Sequence, residues 1–96
     1  MQIFVHSHVA QMQSYRRQLK EQAGDRYETM VAPYRSVLLT HCKKADLEPY
    51  LGAKNLLVWM AQKRKQAGRK LEPHVKAAMF AAAMDIEERK LMDQKT

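Results

Sequence analysis

The sequence predicts an all-α fold, a small bundle of four to five helices joined by short loops. Apolar residues recur at intervals of three and four along most of the chain, which is the pattern of amphipathic helices. Only three glycines and three prolines interrupt the 96 residues, and they fall where helices are expected to begin or end. Outside residues 1–5, no segment shows the alternation of a strand. We therefore expect residues 1–96 to form a single helical domain.

The first predicted helix spans residues 7–23, with Ser7 as its N-cap and Gly24 as the residue that ends it. Residues 1–6 are predicted to form a flexible arm. An extended segment, a short strand and an early helical turn all fit these six residues, and their pattern does not choose among them.

A second helix is predicted to begin after Asp25, whose side chain would form a capping box with Glu28. The apolar stripe of this helix keeps its phase across Pro33, although a proline inside a helix removes one backbone hydrogen bond. The sequence therefore predicts a helix that is kinked at Pro33, and a break at this residue is the alternative.

Glycine and proline also set the predicted bounds of the remaining helices. A short turn over residues 47–51 is predicted to stop at Gly52, and a third helix over residues 53–67 ends before the last glycine. The final helix is predicted to begin at Pro73, with proline in its first turn, and to fray over residues 93–96.

The positive charge is concentrated in residues 49–70, which carry six cations and no acid, against a net charge of +7 for the whole chain. These cations are Lys54, Lys63, Arg64, Lys65, Arg69 and Lys70. Cations favour helix C-termini, but that preference accounts for two or three charges rather than six. A patch of one sign attracts polyanions, and neutralised phosphates supply most of the sequence-independent affinity for nucleic acids. The chain is therefore predicted to bind DNA or RNA, with duplex DNA favoured.

A second basic block near the N-terminus would extend this surface if the two blocks meet in space. It contains Arg16, Arg17 and Lys20, and the adjacent Tyr15 is predicted to be an exposed aromatic able to stack on a base. Trp59 lies inside an apolar run and is predicted to be buried in the core rather than to stack. No tight helix-turn-helix is present, so we expect docking on phosphates with weak reading of bases.

The competing hypothesis is a small protein-interaction module, an adaptor or inhibitor whose basic face binds an acidic partner protein. A homodimer is predicted through the face of the last helix that holds Met79, Ala83 and Ile86. That apolar stripe is wider than one neighbouring helix would cover, and a symmetric dimer would double the basic surface.

The sequence lacks the features of catalytic and cofactor sites. It contains no glycine-rich phosphate loop and no nucleophile elbow, and His6, His8, His41 and His74 lack the paired spacing of a zinc site. Cys42 precedes two lysines, which would lower the pKa of its thiol somewhat, but no paired base marks it as catalytic. We therefore predict no enzyme activity, no metal and no cofactor.

Cysteine content and the N-terminal residues predict the compartment. A single cysteine cannot form an internal disulfide, and residues 1–8 lack the basic and apolar regions of a signal peptide. No apolar run approaches the length of a membrane span. The sequence therefore predicts a cytoplasmic protein that does not enter a membrane.

Overall fold

The computed structural model describes the backbone of residues 2–93 and the side chains of residues 8–93. The described chain is all-helical and contains no strand, which confirms the predicted class. The helices are α1 (Gln2–Ala23), α2 (Tyr27–Ala45), α3 (Pro49–Gln66) and α4 (Pro73–Glu88), with 3₁₀ turns at Gly24–Arg26 and Leu91–Asp93.

A 3₁₀ turn joins α1 directly to α2, so the backbone is helical without interruption over residues 2–45. The described chain therefore has three continuous helical segments, and the prediction of four to five helices joined by short loops is wrong.

Gly24 ends α1 as predicted, in a left-handed conformation with φ of 59° that glycine adopts at little cost. The predicted capping box does not form, because no side chain caps α2 and Glu28 bonds to Arg35 instead.

The two ends of the chain differ from their predictions. Helix α1 begins at Gln2 rather than at Ser7, so of the three alternatives for the first residues the helical one is confirmed from residue 2, and a flexible arm is wrong there. At the other end, Asp93 closes a 3₁₀ turn rather than belonging to a frayed tail. Met1 and residues 94–96 lie outside the described residues.

Helix α2 continues through Pro33, so the alternative of a break at this residue is wrong. Pro33 has no amide proton to offer the carbonyl of Thr29, and both residues lie on the exposed side of α2, where water can hydrate that carbonyl. The helix ends at Asp46, which adopts a left-handed conformation with φ of 56° and donates its backbone N–H to the carbonyl of Cys42.

Helix α4 is the central element, because α1, α2 and α3 all pack against it. Residues 78–86 are buried without interruption, and four of these nine residues are alanine, whose small side chain lets neighbouring helices approach closely. A helix that is apolar on all sides belongs to a core. The predicted dimer face is wrong for this reason, since Met79, Ala83 and Ile86 are each no more than 1% exposed within one chain.

Gly52 lies inside α3 and does not stop a helix, contrary to the prediction. It lies where α2 crosses α3, and a Cβ atom added to Gly52 would collide with Sγ of Cys42 and come within 3.2 Å of Leu38 Cδ1. Glycine is therefore required here for close approach of two helices. Cys42 is fully buried at this crossing, and burial raises the pKa of its thiol, contrary to the predicted lowering.

Replacing Gly52 with alanine tests this crossing. Helix propensity alone would stabilise the variant by about 1 kcal/mol, whereas overpacking a helix interface costs about 1–3 kcal/mol. We expect the collision with Cys42 to dominate, so that urea unfolding followed by circular dichroism gives a lower free energy of unfolding for Gly52→Ala.

The same substitution in a Cys42→Ala background is the matched control, because it removes the colliding sulfur. Gly52→Ala should cost less there than in the native sequence. A Gly52→Ala protein as stable as the native chain or more stable would contradict the close crossing.

Candidate nucleic-acid interface on helix α3

Helix α3 combines a buried stripe with a long exposed surface. It begins with Pro49 in its first turn, where the missing N–H costs nothing. Ala53 and Leu57 face the core together with Gly52, and the opposite side of the helix is exposed. The helix contains no acidic residue over its whole length. Any anion approaching its outer side therefore meets no repulsion from α3 itself.

The end of α3 is fixed by backbone hydrogen bonds around Gly68. Gly68 has a φ of 73°, its N–H donates to the carbonyl of Lys65 at 2.9 Å, and the N–H of Arg69 donates to the carbonyl of Arg64 at 2.7 Å. These two bonds define a Schellman motif. The motif turns the chain back at this point, so that Arg69 and Lys70 stay beside the last turn of the helix.

Five of the predicted phosphate-binding cations meet at this helix end. We call them the basic end of α3, and they are Lys63, Arg64, Lys65, Arg69 and Lys70. Four of the five are exposed. Within residues 8–93, these four have no carboxylate oxygen within 4.0 Å.

Arg64 differs from the other members of the basic end of α3. Its side chain is 29% exposed, and its Nε lies 3.7 Å from a carboxylate oxygen of Glu72. This Nε is buried and has no hydrogen-bond partner. Glu72 also lies 3.6 Å from the ring of His74. One carboxylate thus offsets part of the charge of Arg64 and leaves the exposed cations unopposed.

Trp59 is exposed, and its predicted burial is wrong. Its surface is 56% accessible, and the Nζ atom of Lys63 lies 5.6 Å from the centre of its ring. Successive helical residues are about 100° apart, so Trp59 lies about 160° around the axis from the buried Leu57. Its neighbours one turn away along the helix, Asn55, Gln62 and Lys63, are polar or charged, and this was the sequence signal that the apolar run concealed.

Lys54 lies beside a groove rather than at the basic end of α3. Its Nζ lies 5.6 Å from the ring centre of Tyr50. The groove has a volume of about 440 Å³, is bordered by α1, α3 and α4, and includes Lys76 on its opposite side. Lys76 lies on α4, 22 positions after Lys54. It therefore falls outside the basic segment of residues 49–70 that the sequence indicated.

Tyr15 packs against the core and is not the exposed aromatic that the sequence predicted. Its ring stacks on Phe80 with centroids 5.3 Å apart, and the Nζ of Lys76 lies 5.7 Å from its ring centre. Tyr15 is therefore partly buried, with one face of its ring covered by Phe80.

The basic block of α1 does not join the basic end of α3. Arg16 is directed to the C-terminal end of α4, where it bonds to Asp85 and Glu88. The basic end of α3 lies beside Glu72, thirteen residues before Asp85, which corresponds to about 20 Å along a helix. This separation exceeds the Debye length of about 8 Å at physiological salt. The two blocks therefore do not form one continuous surface.

Arg16 is the only cation of the α1 block that forms ion pairs with carboxylates, so its predicted contact with a phosphate is wrong. Arg17 and Lys20 are exposed and border a shallow depression beside it. The Nζ of Lys20 lies 5.1 Å from the ring centre of Tyr27, which places this lysine on the side of α2.

Asp85 is a buried carboxylate in the last turn of α4 that the sequence analysis did not single out. It is 2% exposed and accepts hydrogen bonds from Arg16 at 3.1 Å, Arg35 at 2.8 Å and the hydroxyl of Tyr27 at 3.0 Å. These donors come from α1 and α2, so one residue of α4 holds both arms of the joined helical segment. Burial of a charge is tolerated only with such partners.

Two acidic residues on the surface extend this cluster. Glu88 accepts two hydrogen bonds from Arg16, at 2.8 and 3.1 Å, and Glu28 bonds to Arg35 and to Arg89. We call Asp85 and these five partners and neighbours the Asp85 cluster, comprising Arg16, Tyr27, Glu28, Arg35, Asp85 and Glu88.

The pKa shifts in the Asp85 cluster follow from burial and pairing. Burial raises the pKa of the Tyr27 hydroxyl, and the negative charge of Asp85 raises it further. Hydrogen bonding to Glu88 raises the pKa of Arg16 against the opposing effect of burial. Burial lowers the pKa of Arg35, but its bonds to Glu28 and Asp85 outweigh burial and raise it overall. These shifts favour the protonated forms at neutral pH, the charged form of Arg16 and Arg35 and the neutral form of Tyr27.

Comparison with protein-family models, with curated proteins and with solved structures found no match. Among the described helices, none combines the length and the apolar character needed to cross a membrane. No three His, Cys, Asp or Glu side chains of residues 8–93 lie close enough together to hold a metal ion.

Replacing Asp85 with asparagine tests the cluster. The amide keeps the shape of the carboxylate but leaves two arginines without their buried counter-charge, and breaking a buried pair costs about 3–5 kcal/mol. We expect urea unfolding to show a loss of this size or a chain that no longer folds. Glu88→Gln is the control and should cost much less, because Glu88 is 57% exposed and its charge is screened by water.

Acid should weaken the fold through Glu28 and Glu88. Hydrogen bonds from Arg35 and from Arg16, respectively, hold the pKa values of these carboxyls below their usual 4.5. Because the folded pKa is the lower one, their stabilisation is present above about pH 4.5 and is lost as the pH falls through the folded values. Urea unfolding at pH 7, 5, 4 and 3 should show a modest decline confined to the range below 4.5.

A Glu28→Gln/Glu88→Gln double variant should start from a lower stability at pH 7 and decline less between pH 4.5 and pH 3. An acid profile of the double variant parallel to that of the native chain would show that other groups cause the decline.

Proposed function

We propose that this protein is a small, non-catalytic nucleic-acid-binding or accessory regulatory protein of the cytoplasm, which docks on phosphates through the basic end of α3. The observation that carries the proposal is the set of four exposed, unopposed cations at one rigid helix end. Lysine and arginine side chains in this state release counterions when they meet a phosphate backbone, which supplies most of the affinity.

Two features of the fold support the proposal. The Schellman motif fixes the backbone on which Arg64, Lys65 and Arg69 are mounted, so little order has to be gained on binding. The helix presents no acid over residues 49–66, whereas the acids of the Asp85 cluster are about 20 Å away along α4. Glu72 is the one acid of the described residues within ion-pair distance of these cations, so their combined charge still produces a positive potential that reaches a polyanion in solution.

Lys54 and Lys76 extend the proposed surface at the side of the groove. Both are exposed and neither has a carboxylate partner within residues 8–93. The α1 cations Arg17 and Lys20 lie on another side of the molecule and are left out of the proposed contacts.

The second candidate is an interaction module that binds an acidic protein. It is favoured by exposed apolar side chains, since Val37, Val58 and Leu51 are 58%, 57% and 44% accessible. Exposed apolar surface next to cations is suited to a protein interface with an apolar centre and a charged rim.

Salt-titrated binding to labelled single-stranded and duplex DNA and RNA of random sequence tests the proposal. With four or five phosphate contacts, the affinity should fall with a log–log slope of about −3 to −4 against salt. A Lys63→Glu/Lys65→Glu variant should lose about tenfold or more in affinity at 50 mM salt, and its slope should become shallower by about 2.

The matched control reverses two exposed charges elsewhere, Arg17→Glu and Arg26→Glu, with the same change in net charge. It should bind more nearly like the native protein if docking is local to α3. Absence of binding to every nucleic acid at 50 mM salt would overturn the proposal and favour the acidic protein partner. An equal loss in both double variants would overturn the location of the site.

A further inference from the structure

We infer that Trp59 and Lys63 together form a stacking site for an unpaired nucleobase, so that the nucleic acid bound on α3 is single-stranded. The inference rests on the proposed function and specifies its ligand. Aromatic side chains beside cations are the common elements of surfaces that bind single strands, because every base offers a flat face for stacking. Duplex DNA, which the sequence favoured, lacks accessible base faces.

The position of Trp59 supports a nucleic-acid ligand over an apolar protein surface. On a helix, the nearest surface neighbours of a residue are three and four positions away. For Trp59 these include Asn55, Gln62 and Lys63, which are all exposed and polar or charged. A tryptophan at the centre of a protein interface is usually surrounded by other apolar side chains. The fourth such neighbour, Leu56, is partly buried, so the exposed side chains one turn away from the indole are polar or cationic.

The ammonium group of Lys63 completes the site. Its Nζ lies 5.6 Å from the indole centroid, within range of a cation–π interaction. This contact orders the exposed indole before a ligand arrives. It also puts a positive charge beside the stacked base, close to the phosphate of the same nucleotide. Lys65 and Arg69 would then contact the next phosphates along the strand.

The side chain of Trp59 does not hold the fold together. The indole is 56% accessible, and Trp59 is neither part of the buried core nor among the partly buried side chains packed on it. A substitution at Trp59 should therefore leave the fold intact, which makes the site testable by mutation.

Fluorescence provides the direct measurement, because Trp59 is the only tryptophan of the chain. The protein is titrated at 50 mM salt with a thymidine 12-mer, with a 12-base-pair duplex and with an abasic 12-mer that keeps the phosphates but lacks bases. We expect the thymidine strand to quench the emission of Trp59 strongly, and the duplex and abasic strands to quench it weakly although they bind.

Variants then separate stacking from charge. Trp59→Ala should weaken binding of the thymidine 12-mer by about fivefold or more, as expected for the loss of one stacked base, and should change binding of the duplex and the abasic strand by less than about twofold. Trp59→Phe should retain part of the affinity. Val58→Ala is the matched control, since Val58 is equally exposed but not aromatic, and should bind like the native protein.

The outcomes distinguish the two proposals. If all three nucleic acids bind with steep salt dependence but Trp59→Ala weakens none of them selectively, the stacking site is wrong and phosphate docking stands. If none of them binds, phosphate docking itself is wrong and the stacking site falls with it. Equal quenching by the thymidine and abasic strands would also overturn stacking.

Discussion

The buried carboxylate of Asp85 is the constraint on which the arrangement of helices depends. An isolated charge inside a core of methionine and alanine would be very unfavourable, so Asp85 requires donors from its surroundings. Arg16 of α1 and Arg35 and Tyr27 of α2 supply them. Satisfying this one residue fixes where both arms of the joined segment lie on α4. A register shift of either arm would leave the charge unpaired, which makes Asp85 a determinant of specificity as well as a local contact.

The same cluster determines where positive charge remains available. Several acids of the chain are used near the C-terminal end of α4, where they neutralise Arg16, Arg35 and Arg89. At the opposite end of α4, Glu72 alone lies within ion-pair distance of the basic end of α3 among the described residues. The cations that give the chain its net charge of +7 are therefore paired with acids in one region and unopposed in another. The proposed phosphate contacts follow from this division of the acids.

Much of the local structure could be predicted from sequence, but its assembly could not. Gly24 and Gly68 marked helix ends because their left-handed conformation is a local property. Gly52 has the same identity and a different role, since the requirement for a small residue comes from Cys42 on another helix. The stripe through Met79 and Ile86 looked half-exposed because the sequence does not show that three helices surround α4.

The residues of the candidate site were likewise predictable where the signal is local, and not where their positions depend on the assembled fold. The cations between residues 63 and 70 are adjacent in sequence, so their proximity was predictable. The distance from Arg16 to this group depends on the long-range pairing with Asp85, and no local pattern contains it. Trp59 was assigned to the core from its apolar neighbours in sequence, although the residues one turn away from it, such as Asn55 and Lys63, are polar and its side chain is exposed.

The most direct test is an amide and indole chemical-shift map of the isotope-labelled chain with a thymidine 12-mer. The account predicts shifts concentrated at Trp59, its indole N–H and residues 63–70, with residues 16–26 unchanged; shifts centred on residues 16–26 or spread evenly over the surface would contradict it.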